Sequence, residues 1–346
     1  MSRKAPTSYD VARLAGVSQS AVSRALSDRG SIAEATRARV LEAARQLGYQ
    51  PNAIARSMSS ARNDPHQKSG MVGVIVTRMQ DPFFAHAIAA LSREIQARGL
   101  QILLFTIDAE DEVDPALTSL MRFQVDGVVI LSAILSARMA ALCRASGIPV
   151  VLFNRDAGSL DVASVVIENR DGGQRAAELL LEGGHRRIAW LAGQDHDTTS
   201  HQREEGLVGR LALAGVELFA REAGDYTFVG GREAALWLFA RQDCPDALFC
   251  ASDVMALGVL HALRHDLGLK VPQEVSLVGF DDIPAAAWPG HQLTTIRQPL
   301  AQMVRAAAGL LEAMMAEPTR PAETLRFPGT LIVRESCRLP ARRDPA

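Results

Sequence analysis

The chain has 346 residues, of which 48% are hydrophobic and 22% are charged, and its formal net charge is −2 at pH 7. This length predicts more than one domain, and the hydrophobic content is sufficient to bury two or three cores. The polar N-terminus does not fit a signal peptide, and no apolar run approaches the roughly 20 residues that span a bilayer, so the sequence predicts a cytoplasmic protein with no membrane partner.

Residues 8–26 predict two short helices joined by a turn. Their apolar residues recur at spacings of three and four, which gives each helix one buried face. These residues are Val11, Leu14, Ala15, Val22, Ala25 and Leu26. Gly16 can adopt the positive φ that ends the first helix, and Ser18 can cap the second. The pattern predicts a helix-turn-helix, whose second helix can enter a DNA major groove, with an ordinary helical hairpin as the alternative.

A third helix is predicted over residues 31–48. Ser31 and Glu34 fit a capping box, and Gly48 is a plausible stop. The apolar positions of this segment are Ile32, Val40, Leu41, Ala44 and Leu47. Residues 1–50 therefore predict an all-α headpiece, and a second short helical segment follows at residues 51–58.

Charge separates this headpiece from the rest of the chain. Residues 1–62 hold ten Lys or Arg and four Asp or Glu, a net charge of +6, while the remainder holds 27 basic and 35 acidic residues. A basic headpiece attracts phosphates and an acidic body discourages non-specific wrapping. Together with the helix-turn-helix, this asymmetry predicts double-stranded DNA as a partner.

The body of the chain predicts strands alternating with helices. Residues 59–69 have the composition of a linker, and short β-branched runs follow, each bounded by Gly, Pro or Asp. The predicted strands are 71–76, 101–107, 127–131, 149–153, 164–167, 187–191, 247–250 and 275–280. The predicted helices are 83–98, 115–123, 136–145, 170–181, 230–241 and 253–267. This alternation is typical of parallel sheets covered on both faces.

The body divides near residue 160 into two similar series. We therefore predict a hinge and linker at 51–69 and a core at 70–346, made of two doubly wound α/β subdomains. The first takes about 70–160 with a return segment after 293, and the second takes about 161–292. Two such subdomains facing each other leave a ligand cleft at the carboxyl ends of their strands.

The residues carry a resemblance to the lactose-repressor (LacI/GalR) family of bacterial transcription regulators over essentially the full length. In the headpiece the matching segments are Asp10-Val11-Ala12-x-x-Ala15-Gly16-Val17-Ser18, Val22-Ser23-Arg24 and Gly48-Tyr49-x-Pro51-Asn52. In the core they are Asp81-Pro82-Phe83-Phe84, Asp126-Gly127, Gly184-His185-x-Arg187-Ile188, Arg203-x-x-Gly206, Ser252-Asp253-x-Met255-Ala256, Val278-Gly279-Phe280-Asp281-Asp282 and Leu293-Thr294-Thr295-Ile296. The resemblance implies a core like that of periplasmic sugar-binding proteins.

By this resemblance, the start of the second helix meets DNA bases and the segment 51–59 is a hinge helix. The implied DNA contacts are Ser18, Gln19, Ser20, Ser23, Arg24, Asn52, Ala55 and Met58. Arg can pair with guanine and Gln with adenine, although Gln19 and Ser20 also fit plain exposed helix polarity. So short a hinge helix is marginal in water and would fold on an operator, paired with that of a second subunit. A homodimer on a pseudo-palindromic operator follows, with a tetramer left open.

The resemblance also implies a small-molecule effector in the cleft. Its candidate contacts are Phe83, Phe84, Asn154, Arg155, Arg203, Tyr226, Ser252 and Asp281. Carboxylates, guanidinium groups and a flat aromatic ring are the groups that bind a sugar or sugar acid. Asp281 could instead be a helix N-cap and Phe83 plain core, and Asp253 is expected to be a cap or an interdomain hydrogen-bonding group rather than a ligand contact.

Enzyme, cofactor and metal hypotheses find little support in the sequence. There is no phosphate-binding loop, Gly-x-Ser-x-Gly or His-Glu-x-x-His. The four scattered cysteines have no metal-ligand spacing, and we interpret Asp195-His196-Asp197 with His201 as a solvated loop. The main hypothesis is therefore a ligand-controlled repressor. The alternatives are a solute-binding module with vestigial DNA binding and a nucleoside- or purine-responsive corepressed repressor.

The hinge generates the first prediction. The family usually has a leucine at the position of Met58, where it wedges into the minor groove, and methionine is apolar enough to do the same. Met58→Asp should therefore abolish operator binding in a gel-shift titration and leave effector binding intact. An unchanged operator affinity would contradict the wedge role.

Overall fold

The computed structural model describes residues 6–26, 32–49, 68–194 and 197–339. The chain divides into two units, Met1–Ser69 and Gly70–Ala346. The predicted hinge, with Asn52, Ala55 and Met58, lies outside the described residues. No helix within the described ranges is both long and apolar enough to cross a membrane.

The smaller unit contains three described helices, α1 (Ser8–Ala15), α2 (Gln19–Ala25) and α3 (Glu34–Leu47). Gly16 ends α1 in the left-handed region with φ 64°, and the Ser18 hydroxyl caps α2 by accepting from the backbone N–H of Ala21 at 3.2 Å. These are the turn and the cap that the sequence predicts, and the helix-turn-helix is confirmed. The three helices bury a small core of Val11, Ala12, Ala15, Val22, Ala25, Val40, Ala43 and Ala44.

Three details of this unit differ from the prediction. Leu14 is 50% exposed and Leu41 is 43% exposed, because the burial of these short helices centres on their alanine and valine positions. The residue that precedes α3 is Ala33, which makes no side-chain capping bond. The predicted capping box is therefore wrong for Glu34, and Ser31 lies outside the described residues.

The larger unit is built from strands and helices in alternation, as predicted. Its described strands are β1 (Met71–Val76), β2 (Gln101–Thr106), β3 (Gly127–Leu131), β4 (Val150–Phe153), β5 (Ala163–Ile167), β6 (Ile188–Ala192), β7 (Ala220–Ala223), β8 (Ala247–Cys250), β9 (Ser276–Asp281), β10 (Thr294–Arg297), β11 (Thr324–Phe327) and β12 (Thr330–Ile332). Its described helices are α4 (Pro82–Ala97), α5 (Val113–Arg122), α6 (Ala137–Ala145), α7 (Asn169–Glu182), α8 (Thr198–Leu213), α9 (Phe228–Phe239), α10 (Asp253–His261) and α11 (Leu300–Ala316). Short 3₁₀ turns at Glu110–Glu112 and Pro284–Ala287 and a π-helical turn at Ala262–Asp266 complete it.

The strands form two six-stranded sheets. The first has the order β11-β5-β4-β3-β1-β2 and is parallel throughout, with Val74 opposite Leu104 and Val129. The second has the order β12-β10-β9-β8-β6-β7 and is parallel except for the antiparallel pair of β12 with β10. We call the parts built on these sheets the first and second lobes. Strands buried along their whole length, such as β3 and β6, explain the continuous apolar runs in the sequence.

Strand pairing corrects the predicted boundary between the lobes. The sequence predicts the strand 164–167 as part of the second series, but β5 pairs with β4 and β11 in the first sheet. The sequence predicts that residues after 293 return to the first subdomain, but β10 pairs with β9 in the second sheet. The chain thus crosses between lobes three times, after β5, after β10 and after β11, because strand neighbours are set by packing and not by order in the sequence. Several elements, α8 and α11 among them, were not predicted.

Glycines allow α7 and α8 to touch along their backbones. A Cβ on Gly206 would lie 2.1 Å from the carbonyl oxygen of Arg170, and one on Gly173 would lie 2.1 Å from that of Arg203. Both approaches are far below van der Waals contact. The position of α8 over the second sheet therefore depends on these two residues having no side chain.

A matched pair of alanine variants tests this packing. Gly206→Ala should destabilise the larger unit by about 1–3 kcal/mol, because the helices must separate. Gly209→Ala on the same helix meets no atom within 4 Å and should stabilise it by up to about 1 kcal/mol through helix propensity. Denaturant unfolding followed by tryptophan fluorescence reports this unit, which holds all three tryptophans. Equal effects of the two substitutions would contradict the role given to Gly206.

Candidate DNA-recognition face and ligand cleft

The exposed face of α2 is polar and contains the predicted DNA contacts of the described headpiece. Ser18, Gln19, Ser20, Ser23 and Arg24 are all exposed, while the opposite face buries the apolar residues of the helix. The amide Nε2 of Gln19 donates to the hydroxyl of Ser8 at 3.0 Å, which ties the start of α2 to α1. This arrangement leaves one side of a short helix free of apolar groups, as a base-reading helix requires.

In the larger unit, the side chains of interest follow the carboxyl ends of strands from both sheets. Several non-glycine residues here have positive φ, among them Arg78 at 51°, Ser132 at 60°, Asn154 at 59°, Tyr226 at 56° and Asp281 at 120°. Such conformations cost free energy and persist where the surroundings enforce them, typically at functional sites. Their grouping at one edge marks the cleft between the lobes as the candidate ligand site.

The cleft encloses a cavity of about 10 Å³, which has room for about one water molecule. Both lobes contribute to its walls. The lining residues are Arg78, Asp81, Phe83, Phe84, Asn154, Thr199, Arg203, Tyr226 and Asp281. The two lobes are therefore closed on each other, and a molecule the size of a sugar can enter only if they separate.

Asp197 joins the two lobes. It caps α8 in the second lobe, where its Oδ1 accepts from the backbone N–H of Thr199 at 2.9 Å and its Oδ2 accepts from the Tyr226 hydroxyl at 2.5 Å. From the first lobe, Nη1 of Arg155 donates to Oδ1 at 2.5 Å. Arg155 is held in turn by Glu110, at 2.5 Å from its Nη2. We call these five residues the Asp197 cluster.

The cluster keeps a buried carboxylate ionised. Burial alone would raise the pKa of Asp197, but the guanidinium groups of Arg155 and Arg78 and the hydrogen bonds from Tyr226 and Thr199 hold it below its usual range. The pKa of the Tyr226 hydroxyl is raised by burial and by the adjacent Asp197 carboxylate. Tyr226 thus stays protonated and donates a hydrogen bond to Asp197.

Arg203 lines the cavity and is held by contacts within the second lobe. Its Nε donates to Asn169 Oδ1 at 2.9 Å, its Nη1 donates to the carbonyl oxygen of Ala251, and its guanidinium lies 3.5 Å from the ring centre of Phe280. Its nearest contact with Asp281 is 4.0 Å. Arg203 is thus part of the second lobe's internal structure as well as of the cavity wall.

Two acidic side chains of the cavity are driven towards their neutral forms. Burial raises the pKa of Asp81, against the lowering effect of the Phe83 backbone N–H and nearby guanidinium groups. Burial, with a contribution from the neighbouring Asp81 carboxyl, raises the pKa of Asp281 well above its usual range. A carboxyl pair of this kind can both donate to and accept from ligand hydroxyls.

The structure brings six of the eight predicted effector contacts to the cavity wall: Phe83, Phe84, Asn154, Arg203, Tyr226 and Asp281. The other two have different surroundings. Arg155 lies behind the wall in the Asp197 cluster, and Ser252 caps α10 by accepting from the backbone N–H of Met255 at 3.5 Å. Ser252 thus caps a helix and does not line the cavity in this structure.

Two expectations about nearby acidic residues have different outcomes. Asp253, as expected, is a structural group: it is fully buried, accepts from the Thr295 hydroxyl at 2.6 Å and the Ile283 N–H at 2.9 Å, and burial raises its pKa to about 7. The solvated-loop interpretation of Asp197 is wrong, because this residue is 1% exposed and paired. The described residues contain no group of three or more His, Cys, Asp or Glu side chains that could hold a metal ion.

Arg78, Asp81, Thr199 and Asp197 belong to the site and were not predicted. Asp81 carried a usable signal, since Asp followed by Pro is typical of a helix N-cap, and Asp197 followed by Thr198 is similar. Arg78 had no such signal, because a single arginine after a strand is as common on a plain surface. Only its contacts with the aromatic rings of Phe84 and Tyr226 in the folded core identify Arg78 as a residue of the site.

A larger cavity, of about 530 Å³, lies at the amino edge of the first sheet, between α6 and residues 318–322. Its ion pair, Arg144 with Asp161, is more than half exposed on both sides. It contains no buried unpaired polar groups among the described residues. Volume favours this cavity, but the buried charges and strained backbone favour the cleft as the ligand site.

Comparison with known proteins gives a family match at each end of the chain. Residues 7–52 match a model described as bacterial regulatory proteins, lacI family. Residues 177–337 match a model described as a periplasmic binding protein-like domain. The first range covers the three helices of the smaller unit, and the second covers most of the second lobe together with β11 and the last two crossings.

Relatives and solved structures match over nearly the whole chain. The transcriptional regulator CelR from Thermobifida fusca is 34% identical, with 96% of this chain and 99% of the relative covered. A solved complex of the regulator CelR with cellobiose is 32% identical, with 96% and 99% covered and a TM-score of 0.71. A lac repressor dimer bound to operator and the anti-inducer ONPF is 25% identical, with 96% and 99% covered and a TM-score of 0.82.

The Asp197 cluster generates a prediction for the core. Tyr226→Phe removes a hydrogen bond to a buried carboxylate and should destabilise the larger unit by about 1–3 kcal/mol in denaturant unfolding. Asp197→Asn should be destabilising as well, and the double variant should be less so than the sum, because both remove the same contact. Tyr9→Phe, at a 69% exposed position of the smaller unit, is the control and should have no effect. Additive effects of Tyr226→Phe and Asp197→Asn would contradict the coupling.

Proposed function

This chain belongs to the lacI family of bacterial regulatory proteins, and on that premise we propose that it is a transcriptional repressor controlled by a small molecule. It binds a pseudo-palindromic operator as a dimer, and its operator affinity changes when a sugar or sugar acid binds between the lobes. Members of this family are DNA-binding regulators rather than enzymes, and we propose that this chain has no catalytic role. Because its partner is chromosomal DNA, it acts in the cytoplasm.

The observation that supports DNA binding is the polar face of α2. Gln19, Ser20, Ser23 and Arg24 occupy adjacent exposed positions on a helix whose other face is buried against α1 and α3. Side chains on the first turns of such a helix reach base edges, and arginine pairs with guanine through two hydrogen bonds. Asn52, Ala55 and Met58 are proposed to add minor-groove contacts from the hinge.

The observation that supports ligand control is the closed cleft. Its cavity of about 10 Å³ is lined by aromatic rings, carboxyl groups and guanidinium groups, the chemistry that holds polyhydroxylated ligands. The complex of the similar regulator CelR with cellobiose supports the same class of ligand. A ligand must open the lobes to enter, so it acts on the contacts of the Asp197 cluster that hold them together.

Ligand and operator are coupled through the arrangement of the lobes. A ligand shifts operator affinity only if it binds the DNA-competent and DNA-incompetent arrangements unequally. We propose that the lobes of the two subunits transmit this difference to the paired hinge segments. Separating those segments would remove the contacts that hold α2 of both subunits in consecutive major grooves.

A base-contact test of this function uses two arginines of the headpiece. The operator is first selected by the full chain from random duplex DNA, where the proposal expects a two-fold symmetric site. Arg24→Ala should weaken binding to that site by about 1–3 kcal/mol and relax the preference at one base per half-site. Arg45→Ala, which removes an exposed arginine from α3, is the control and should preserve the preference. Affinity is measured by fluorescence anisotropy at fixed salt.

Ligand control of operator binding is tested on the same protein–operator complexes. Sugars, sugar acids and nucleosides are screened by their effect on the melting temperature of the full chain, and each hit is added to the operator complex. The proposal expects a hit that changes operator affinity. Selection without a symmetric site, or hits that leave operator affinity unchanged, would overturn it.

A further inference from the structure

Arg78 is held in the cleft by two aromatic rings and a hydroxyl, and its nearest acid, Asp197, lies beyond hydrogen-bond distance. It lies 4.2 Å from the ring centre of Tyr226 and 5.5 Å from that of Phe84, so two aromatic rings fix its plane. Its Nη2 donates to the Ser132 hydroxyl. Its Nη1 is buried and has no hydrogen-bond partner in the described part of the chain.

The acid nearest to Arg78 is already occupied. Asp197 Oδ2 is 3.7 Å from Nη1, beyond hydrogen-bond range, and accepts from Tyr226. Its Oδ1 accepts from Arg155 and Thr199. The Asp197 carboxylate thus accepts its hydrogen bonds from Tyr226, Arg155 and Thr199. Nη1 of Arg78 is left to donate to a group that enters the cavity.

The wall of the cavity is short of negative charge. Burial raises the pKa of both its carboxyl groups, Asp81 and Asp281, and the neighbouring Asp81 carboxyl raises that of Asp281 further, which favours a neutral form of Asp281. Two guanidinium groups, those of Arg78 and Arg203, share this wall. A carboxylate brought by a ligand would supply the missing charge, whereas a neutral hydroxyl would not.

A second buried group of the wall requires a donor from the ligand. Oδ1 of Asn154 is buried and accepts no hydrogen bond from any described residue. It lines the same cavity as Arg78 and follows β4, two strands from the β1 strand that Arg78 follows. The cavity thus offers an unpaired acceptor for a hydroxyl and an unpaired donor for an anion.

Resting on the proposed function, we propose that the effector is a sugar acid, with its carboxylate on Arg78 and its hydroxyls on Asn154 and Asp281. The carboxylate accepts a charge-assisted hydrogen bond from Nη1, the buried donor that the closed cleft leaves unpaired. The hydroxyl groups donate to Asn154 Oδ1 and exchange hydrogen bonds with the carboxyl pair. Tyr226 and Phe84 then flank both the guanidinium and the ligand.

The test compares ligands that differ only in the carboxylate. Glucuronate and galacturonate are matched with glucose and galactose, and the open-chain gluconate and ribonate with the open-chain alcohols glucitol and ribitol, at equal ionic strength; the melting temperature of the full chain is followed by tryptophan fluorescence. The proposal expects an acid to raise the melting temperature and its neutral counterpart to have a smaller effect or none. A panel in which no acid raises it, or in which a neutral sugar, a sugar phosphate or a nucleoside raises it more than every acid, overturns the proposal.

Three variants then test the assigned residue by isothermal titration with the best acid. Arg78→Gln should weaken its binding about tenfold or more, because a charge-assisted hydrogen bond is lost, and Arg78→Lys should restore part of the affinity. Arg93→Gln, which removes an exposed arginine from α4 in the same lobe, should bind like the unchanged protein. Equal affinity of Arg78→Gln and Arg93→Gln overturns the assignment to Arg78.

Failure here differs from failure of the proposed function. A neutral sugar that binds the cleft and changes operator affinity overturns the sugar-acid proposal and leaves the ligand-controlled repressor intact. A chain that binds an acid through Arg78 but selects no symmetric DNA site supports this assignment and overturns the repressor.

Discussion

The ion pair between Arg155 and Asp197 is the contact on which the closed core depends. Asp197 is 1% exposed and Arg155 is 5% exposed, so both charges have given up water. Removing one partner from such a pair leaves the other buried and uncompensated, which costs more than the pair itself contributes. Since Arg155 belongs to the first lobe and Asp197 to the second, the lobes close in the one arrangement that satisfies both groups.

Because closure depends on this buried ion pair, the closed core can be converted readily to an open one. Separating the lobes admits water to both partners, and a solvated ion pair in a cleft is worth little. The cluster therefore specifies the geometry of closure more than it adds to stability. A ligand that supplies its own charge and hydrogen bonds between the lobes can replace these contacts, which a purely apolar interface would not permit.

The fold could be predicted from the sequence where periodicity is strong. The spacing of Val11, Ala15 and Val22 and the turn at Gly16 are local, and both the helix-turn-helix and the alternation of strands and helices follow from such local patterns. Local sequence does not reveal which sheet contains β5, because β5 follows β4 along the chain whether it pairs in the first sheet or in the second. Its pairing with β11, more than 150 residues away, is a result of tertiary packing.

The site residues could be predicted where the neighbouring sequence alone indicates their position. Phe83, Phe84 and Asn154 follow strands and Asp281 ends β9, all in recognisable segments, and the structure places them around one cavity. Asp197 was misinterpreted because it lies in a polar stretch, where a solvated loop is the ordinary outcome. What buries it is the approach of Arg155 from the other lobe, a contact that no property of residues 195–201 encodes.

The three crossings between lobes determine which cleft residues move most. They lie side by side at one edge of the core: the backbone N–H of Glu168 donates to the carbonyl of Phe327 at 2.8 Å, and a Cβ on Gly329 would lie 2.6 Å from Ile296. This edge carries β5 and β11 in the first sheet and β10 and β12 in the second. Connections packed this closely allow the lobes to rotate about that edge more readily than to slide.

The distance of a cleft contact from these crossings determines how far a rotation of the lobes separates its two groups. Strands lie about 4.8 Å apart, so β1 is about 14 Å from β5, whereas β4 is its direct neighbour. Arg78 follows β1, and it faces Tyr226, which follows the far edge strand β7 of the second sheet. A small rotation therefore separates Arg78 from Tyr226 further than it separates groups near the crossings. A contact between Arg78 and a group on the second lobe is therefore broken by a smaller rotation than a contact near the crossings.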